Sequence, residues 1–151
     1  MYQTAFFKVS SKTKISEIVI NNPYLTLLFE HFGIDLPCNE KTVATVCKEN
    51  NISPLLFLTI VNLYNGVQFK SESQFSFKDV LTIISYLRNS HKYYSIEMYP
   101  VILEYLKQMS MYNKQSEMLL VERFFNEYFK EVTDHLDYEN NIVFPYIIGL
   151  Y

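Results

Sequence analysis

The chain has 151 residues, 49% hydrophobic and 17% aromatic, with a formal net charge of -3. That composition excludes intrinsic disorder, and the absence of a basic block leaves no electrostatic footprint for nucleic-acid binding. Only 3 Gly and 5 Pro occur, so turns are few and elements long, which points to an all-α protein rather than a many-stranded β fold.

Residues 1–66 read as a small helical domain of several short, well-punctuated helices. Ile15, Ile18 and Val19 form an apolar stripe closed by Asn21-Asn22-Pro23. Pro23 suits the first position of the next helix, along which Tyr24, Leu27, Leu28 and Phe32 recur until Gly33 supplies a left-handed stop. His31, in that last turn, is most simply a charge near a helix C-terminus. Residues 34–39 form a loop. Thr42 is placed to cap a helix over 43–48, and Ser53-Pro54 combines a cap with a first-turn proline. Leu55, Leu58, Val61 and Leu63 follow, ending near Asn65-Gly66. Cys47 falls mid-helix and reads as core.

Residues 67–75 are polar and read as a linker, after which residues 76–151 carry two long helices. Ser76 is placed to cap the first, with Val80, Ile83, Ile84, Leu87, His91 and Tyr94 at helical spacing on one side. Pro100 either kinks this helix or divides it, and Ile102, Leu103 and Leu106 continue the stripe. A break over 110–114 leads to a last helix over about 115–141. On it Leu120, Phe124, Tyr128, Val132, His135 and Glu139 share one face, and Phe144-Pro145 is expected to end its regular hydrogen bonding. Each helix shows an apolar stripe that a pair alone leaves largely exposed, whereas a four-helix bundle buries it. The expected architecture is therefore a half bundle, completed by a second copy of the chain.

His135 and Glu139 stand four residues apart, so an imidazole and a carboxylate can reach one metal ion from one helix. With His91 from the upstream helix, they form a candidate metal-ligand set. Imidazole and carboxylate together suit iron, manganese and zinc. The competing readings are an exposed i,i+4 pair for His135 and Glu139 and a hydrogen-bonded core histidine for His91. Tyr94, Tyr128 and Tyr138 are close enough in phase to be acceptors for the non-ligating ring nitrogens. The span lacks any stretch long and apolar enough for a membrane helix and begins without a signal-peptide pattern. Two cysteines, Cys38 and Cys47, make no disulfide framework. A cytoplasmic setting is the expectation.

Ile15-Ser16-Glu17-Ile18-Val19, Asn22-Pro23, Leu28-Phe29-Glu30 and Phe32-Gly33-Ile34-Asp35 resemble the small N-terminal domain of the iron–sulfur cluster repair di-iron proteins. These proteins are also described as regulators of cell morphogenesis and nitric-oxide signalling. The segment around His91, and His135-Leu-Asp-Tyr-Glu139-Asn-Asn-Ile-Val-Phe144-Pro145, resemble the hemerythrin-like domain of that family. The resemblance implies a non-haem di-iron centre with His91, His135 and a bridging Glu139 as ligands. It also implies a role in repairing clusters damaged by nitric oxide or oxidants, with damaged iron–sulfur proteins as clients. Family members end the Gly-Ile-Asp loop with a cysteine pair, where this chain has Pro37-Cys38, so Cys38 alone carries over as a candidate thiol. Asn140 stands where a second glutamate is common. The family pattern continues with two further helices bearing another histidine and another His-x-x-x-Glu pair, and Tyr112 and Asn113 lie near where a further histidine would fall. A symmetric homodimer would supply four histidines and two glutamates, the ligand set of a full bundle; a truncated chain is the duller explanation. The alternatives to cluster repair are a hemerythrin-like oxygen or nitric-oxide sensor or carrier, and a metal-free helical interaction module.

Overall fold

The computed structural model describes residues 7–36, 40–67, 75–112 and 116–150, and among these it is all-α. The helices are α1 (Ile15–Asn21), α2 (Leu25–His31), α3 (Val43–Glu49), α4 (Pro54–Tyr64), α5 (Phe77–Lys92), α6 (Tyr99–Tyr112), α7 (Ser116–Tyr138) and α8 (Phe144–Gly149). Two π-helical segments, Tyr93–Met98 and Glu139–Val143, join α5 to α6 and α7 to α8. The chain divides into two compact units, Met1–Tyr86 and Leu87–Tyr151, with the boundary inside α5. The predicted linker falls largely outside the described residues, as do Cys38 and Asn113.

In the first unit the helix ends follow the punctuation. Thr42 Oγ1 accepts from Thr45 N–H at 3.3 Å and Ser53 Oγ from Leu56 N–H at 3.4 Å, with Pro54 in the first turn of α4. Gly33 (φ 71°) lets Ile34 N–H return to Phe29 O, and Gly66 (φ 73°) lets Val67 N–H return to Asn62 O. Both are Schellman stops, which need a left-handed residue. Asn51 (φ 58°) ends α3 in the same way, with Ile52 N–H donating to Cys47 O at 2.8 Å.

The buried faces are Ile15 and Ile18 of α1, Leu25, Leu28 and Phe29 of α2, Val43, Val46 and Cys47 of α3, and Leu56, Phe57 and Val61 of α4. Three expectations are corrected. Tyr24 is 90% exposed, because α2 starts only at Leu25, after a turn in which Asn22 O and Pro23 O accept from Leu25 and Thr26 N–H. Leu63 faces outward, since α4 is apolar nearly all round and its phase is set by packing rather than pattern. His31 is buried, its ring edge-on to Tyr86 at 5.4 Å, rather than a solvated helix-end charge. Burial pushes the Cys47 thiol up to about 12, as a core thiol requires.

The N-terminal segment is held by side-chain amides. Asn62, 1% exposed, accepts from Val9 N–H at 2.8 Å and donates to Val9 O at 2.9 Å. One amide therefore satisfies both backbone groups of a buried residue, which would otherwise cost stability. α5 opens with a reciprocal cap: Ser76 Oγ accepts from Asp79 N–H at 3.3 Å while Asp79 Oδ2 accepts from Ser76 N–H at 2.7 Å.

The second unit is built on two antiparallel arms. Tyr99 stacks on Phe125 at 5.3 Å and its hydroxyl donates to Asn126 Oδ1, while His91 meets Asn140. The expectation that Phe144-Pro145 ends the helix is corrected. Pro145 sits in the first turn of α8, directly after the π-helical segment. Pro100 occupies the equivalent place, the second residue of α6, after the other π-helical segment. Each i→i+5 turn begins a fresh helical register, and a proline near its start has no N–H that the ladder requires. The same widened turn shifts side-chain phase. Tyr94, expected on the stripe that runs on from His91, lies in the turn over Tyr93–Met98 and is 51% exposed.

Among the described residues of this unit, only His91 and Phe144 are buried. No helix among the described residues is long and apolar enough to cross a membrane.

Candidate metal centre

The two arms bring His91, His135 and Glu139 together. His91 is the penultimate residue of α5, two residues before one π-helical segment begins at Tyr93, and Glu139 is the first residue of the other. Such segments recur at functional sites because they re-aim side chains without breaking the helix. Glu139 Oε2 lies 3.3 Å from His91 Nε2, and Glu139 Oε1 lies 3.2 Å from His135 Nε2. Each carboxylate oxygen thus has its own imidazole. The His135–Glu139 pair is the i,i+4 relation read from sequence; the His91–Glu139 pair is tertiary.

Burial is graded across the three. The His91 side chain is 10% exposed, Glu139 30% and His135 68%. His91 stacks on Phe144 at 5.7 Å, and the Arg88 guanidinium carbon lies 5.8 Å from the centroid of the same phenyl ring. The second ring nitrogen of His91, Nδ1, lies 3.2 Å from Asn140 Oδ1. With the amide oxygen accepting, the proton sits on Nδ1 and the Nε2 lone pair faces Glu139 Oε2. Two lone-pair-bearing atoms held this close favour a shared proton or a cation between them.

Sequence reasoning missed this acceptor. Tyr94, Tyr128 and Tyr138 are all more than half exposed, and Asn140 takes the part expected of a tyrosine. Its position directly after Glu139 was the available signal, since a histidine on an apolar face needs an acceptor. An open groove of about 440 Å³ runs beside His91, bordered by Ser95, Thr133, Asp137 and Asn140. Thr133 Oγ1 is buried there without a hydrogen-bond partner.

The donor types fit iron, manganese or zinc, and a cis nitrogen–oxygen edge of about 3 Å follows from metal–ligand bonds near 2.1 Å. The donors do not surround one point. Among the described residues, no group of three or more His, Cys, Asp or Glu side chains is disposed to hold a metal ion by itself. The chain offers two imidazole–carboxylate edges joined through one carboxylate, an arrangement suited to bridging rather than to enclosing a single ion. The Tyr112 side chain, like Cys38 and Asn113, lies outside the described residues.

No protein-family model, curated protein or solved structure matches the chain.

Proposed function

We propose that this chain is a non-haem di-iron protein that acts on iron–sulfur clusters damaged by nitric oxide or oxidants, as its resemblance to the cluster-repair family implies. The observation that supports this best is the Glu139 carboxylate set between two imidazoles, one oxygen to each. On this reading His91, His135 and Glu139 would hold the iron, the imidazoles and the carboxylate serving as its protein donors. The centre would supply redox-active iron and, in the family's role, iron or electrons for cluster repair. The protein's own contribution is positional. Asn140 Oδ1 would fix the His91 tautomer by accepting from Nδ1, Phe144 stacks on that ring, and an open groove lies beside His91.

Elemental analysis of the full chain after anaerobic loading with ferrous iron tests the reading. About two irons per chain are expected where one chain completes the centre, and about one per chain where two copies share it, since a bundle site holds two ions among its helices. His135→Ala and Glu139→Ala should each abolish uptake. Wild-type protein that takes up no iron, zinc or manganese sinks the proposal. The second reading would then stand: a metal-free helical interaction module, favoured by the exposed apolar residues of α6 and α7.

A further inference from the structure

The stripe of α7 that carries His135 is open to solvent from Leu120 to Tyr128 and again at His135, with Val132 half-buried between. Leu120, Val121, Phe124 and Tyr128 are 64%, 45%, 69% and 54% exposed, and one helical face holds all four together with His135. Phe124 and Tyr128 stack on each other at 6.4 Å, presenting a flat aromatic surface outward. The neighbouring arm adds Ile102, Tyr105 and Met109, again at helical spacing and again exposed. A contiguous apolar surface of this kind marks a place where another polypeptide packs. Among the described residues of this unit only His91 and Phe144 are buried, and neither lies on this face.

We propose that a second copy of this chain packs on that face about a two-fold axis, so that four antiparallel arms form one bundle and the two half-sites become one metal centre. The inference rests on the metal reading above and names the partner it requires. Two observations select a second copy over an unrelated protein. First, the open stripe runs directly into His135, the most exposed of the three candidate ligands. A partner seated on the stripe therefore arrives at the metal site, and an identical partner brings the missing donors by symmetry. One chain supplies two imidazoles and one carboxylate, which leaves most positions on two ions open. Two chains supply four imidazoles and two carboxylates, and bundle-core sites are likewise built from side chains on facing helices. Second, the area suffices. α7 has 23 residues and so is about 35 Å long, and two helices side by side are about 20 Å wide. A face of about 700 Å² per copy buries about 1,400 Å² in all, within the range of stable specific interfaces. An isologous contact about a two-fold axis is also the commonest way in which one patch satisfies itself.

Sedimentation equilibrium of the full chain, with metal content measured on the same sample, tests this. The expected species has twice the 17.9 kDa chain mass. Phe124→Asp, at a position exposed in the single chain, should halve that mass, keep the helical circular dichroism and weaken iron uptake at least tenfold. Tyr128→Lys serves as a second variant should Phe124→Asp fold poorly. Wild-type protein that stays monomeric at tens of micromolar and still binds iron overturns the pairing and leaves the metal reading intact. So does a complex whose second member is a different polypeptide. A dimer broken by Phe124→Asp that never takes up metal upholds the paired face and removes the metal reading.

Discussion

Asn140→Ala separates a positioned metal ligand from a histidine that merely packs. In the native site Asn140 Oδ1 is the acceptor for His91 Nδ1, at 3.2 Å. His91 is 8% exposed, so water replaces that acceptor poorly. Truncation leaves a buried N–H without a partner, a cost of about 1–3 kcal/mol to the fold. It also frees the ring to take the other tautomer, with the proton on Nε2 and no lone pair toward Glu139. Loss of an outer acceptor of a ligating histidine typically weakens metal binding by about 10–100-fold, or about 1.4–2.7 kcal/mol. Competition of the protein against a chelating dye for ferrous or cobaltous ion measures the shift. Asn140→Asp keeps an oxygen acceptor and should recover most of the affinity. The reasoning fails if Asn140→Ala binds as tightly as wild type while His91→Ala does not, because the ring would then be oriented by something other than Asn140.

Elsewhere the structure makes predictions independent of metal. Asn62→Ala removes both partners of Val9 and should cost about 2–4 kcal/mol, read from the midpoint of urea unfolding. Asp79 is buried, which opposes ionisation, yet hydrogen bonds from Ser76 and Ser53 hold its carboxyl below the ordinary value. A depressed native pKa contributes stability above the unfolded-state pKa and loses it as pH falls through the folded one. Thermal melts of Asp79→Asn should therefore fall below wild type at neutral pH, with the gap closing below about pH 4, the unperturbed aspartate range. The Cys47 thiol, pushed up to about 12, should stay unalkylated in native protein at neutral pH and react on denaturation. Peptide mapping after iodoacetamide treatment decides this.

Helix ends in the first unit were legible because they are local chemistry. Thr42, Ser53-Pro54, Gly33 and Gly66 act within a turn of their own positions, so the sequence carries the whole cause. Faces were legible only where the pattern is one-sided. α1 was readable, and so was Cys47 of α3, whereas α4 is apolar nearly all round and hides which side Phe57 and Asn62 take. Asn62 gives no local sign that its partner is Val9, 53 residues away. At the candidate site, His135 and Glu139 were legible by spacing and His91 by its place on an apolar stripe. Asn140 was not, because the arm it faces is fixed by tertiary packing. The π-helical turns are the largest omission: a one-residue excess in a helix leaves composition and average period almost unchanged, yet turns every later side chain.

Those two turns also connect the fold to the proposed chemistry. Without the segment over Glu139–Val143 the helix of His135 would meet Pro145 deep in its interior, where proline costs about 3 kcal/mol or more. With it, the chain continues as α8, and Phe144 reaches the His91 ring. The partner segment does the same for Pro100, just beyond His91. Replacing Pro145 by Ala should therefore leave stability within about 0.5 kcal/mol of wild type, the range of a substitution that breaks no feature. Deleting Ile142, one residue of the π turn, should restore α-helical register and swing Phe144 off His91. Chemical shifts of the His91 ring would report that movement, and an unchanged ring environment in the deletion variant would show that the widened turn does not position the site.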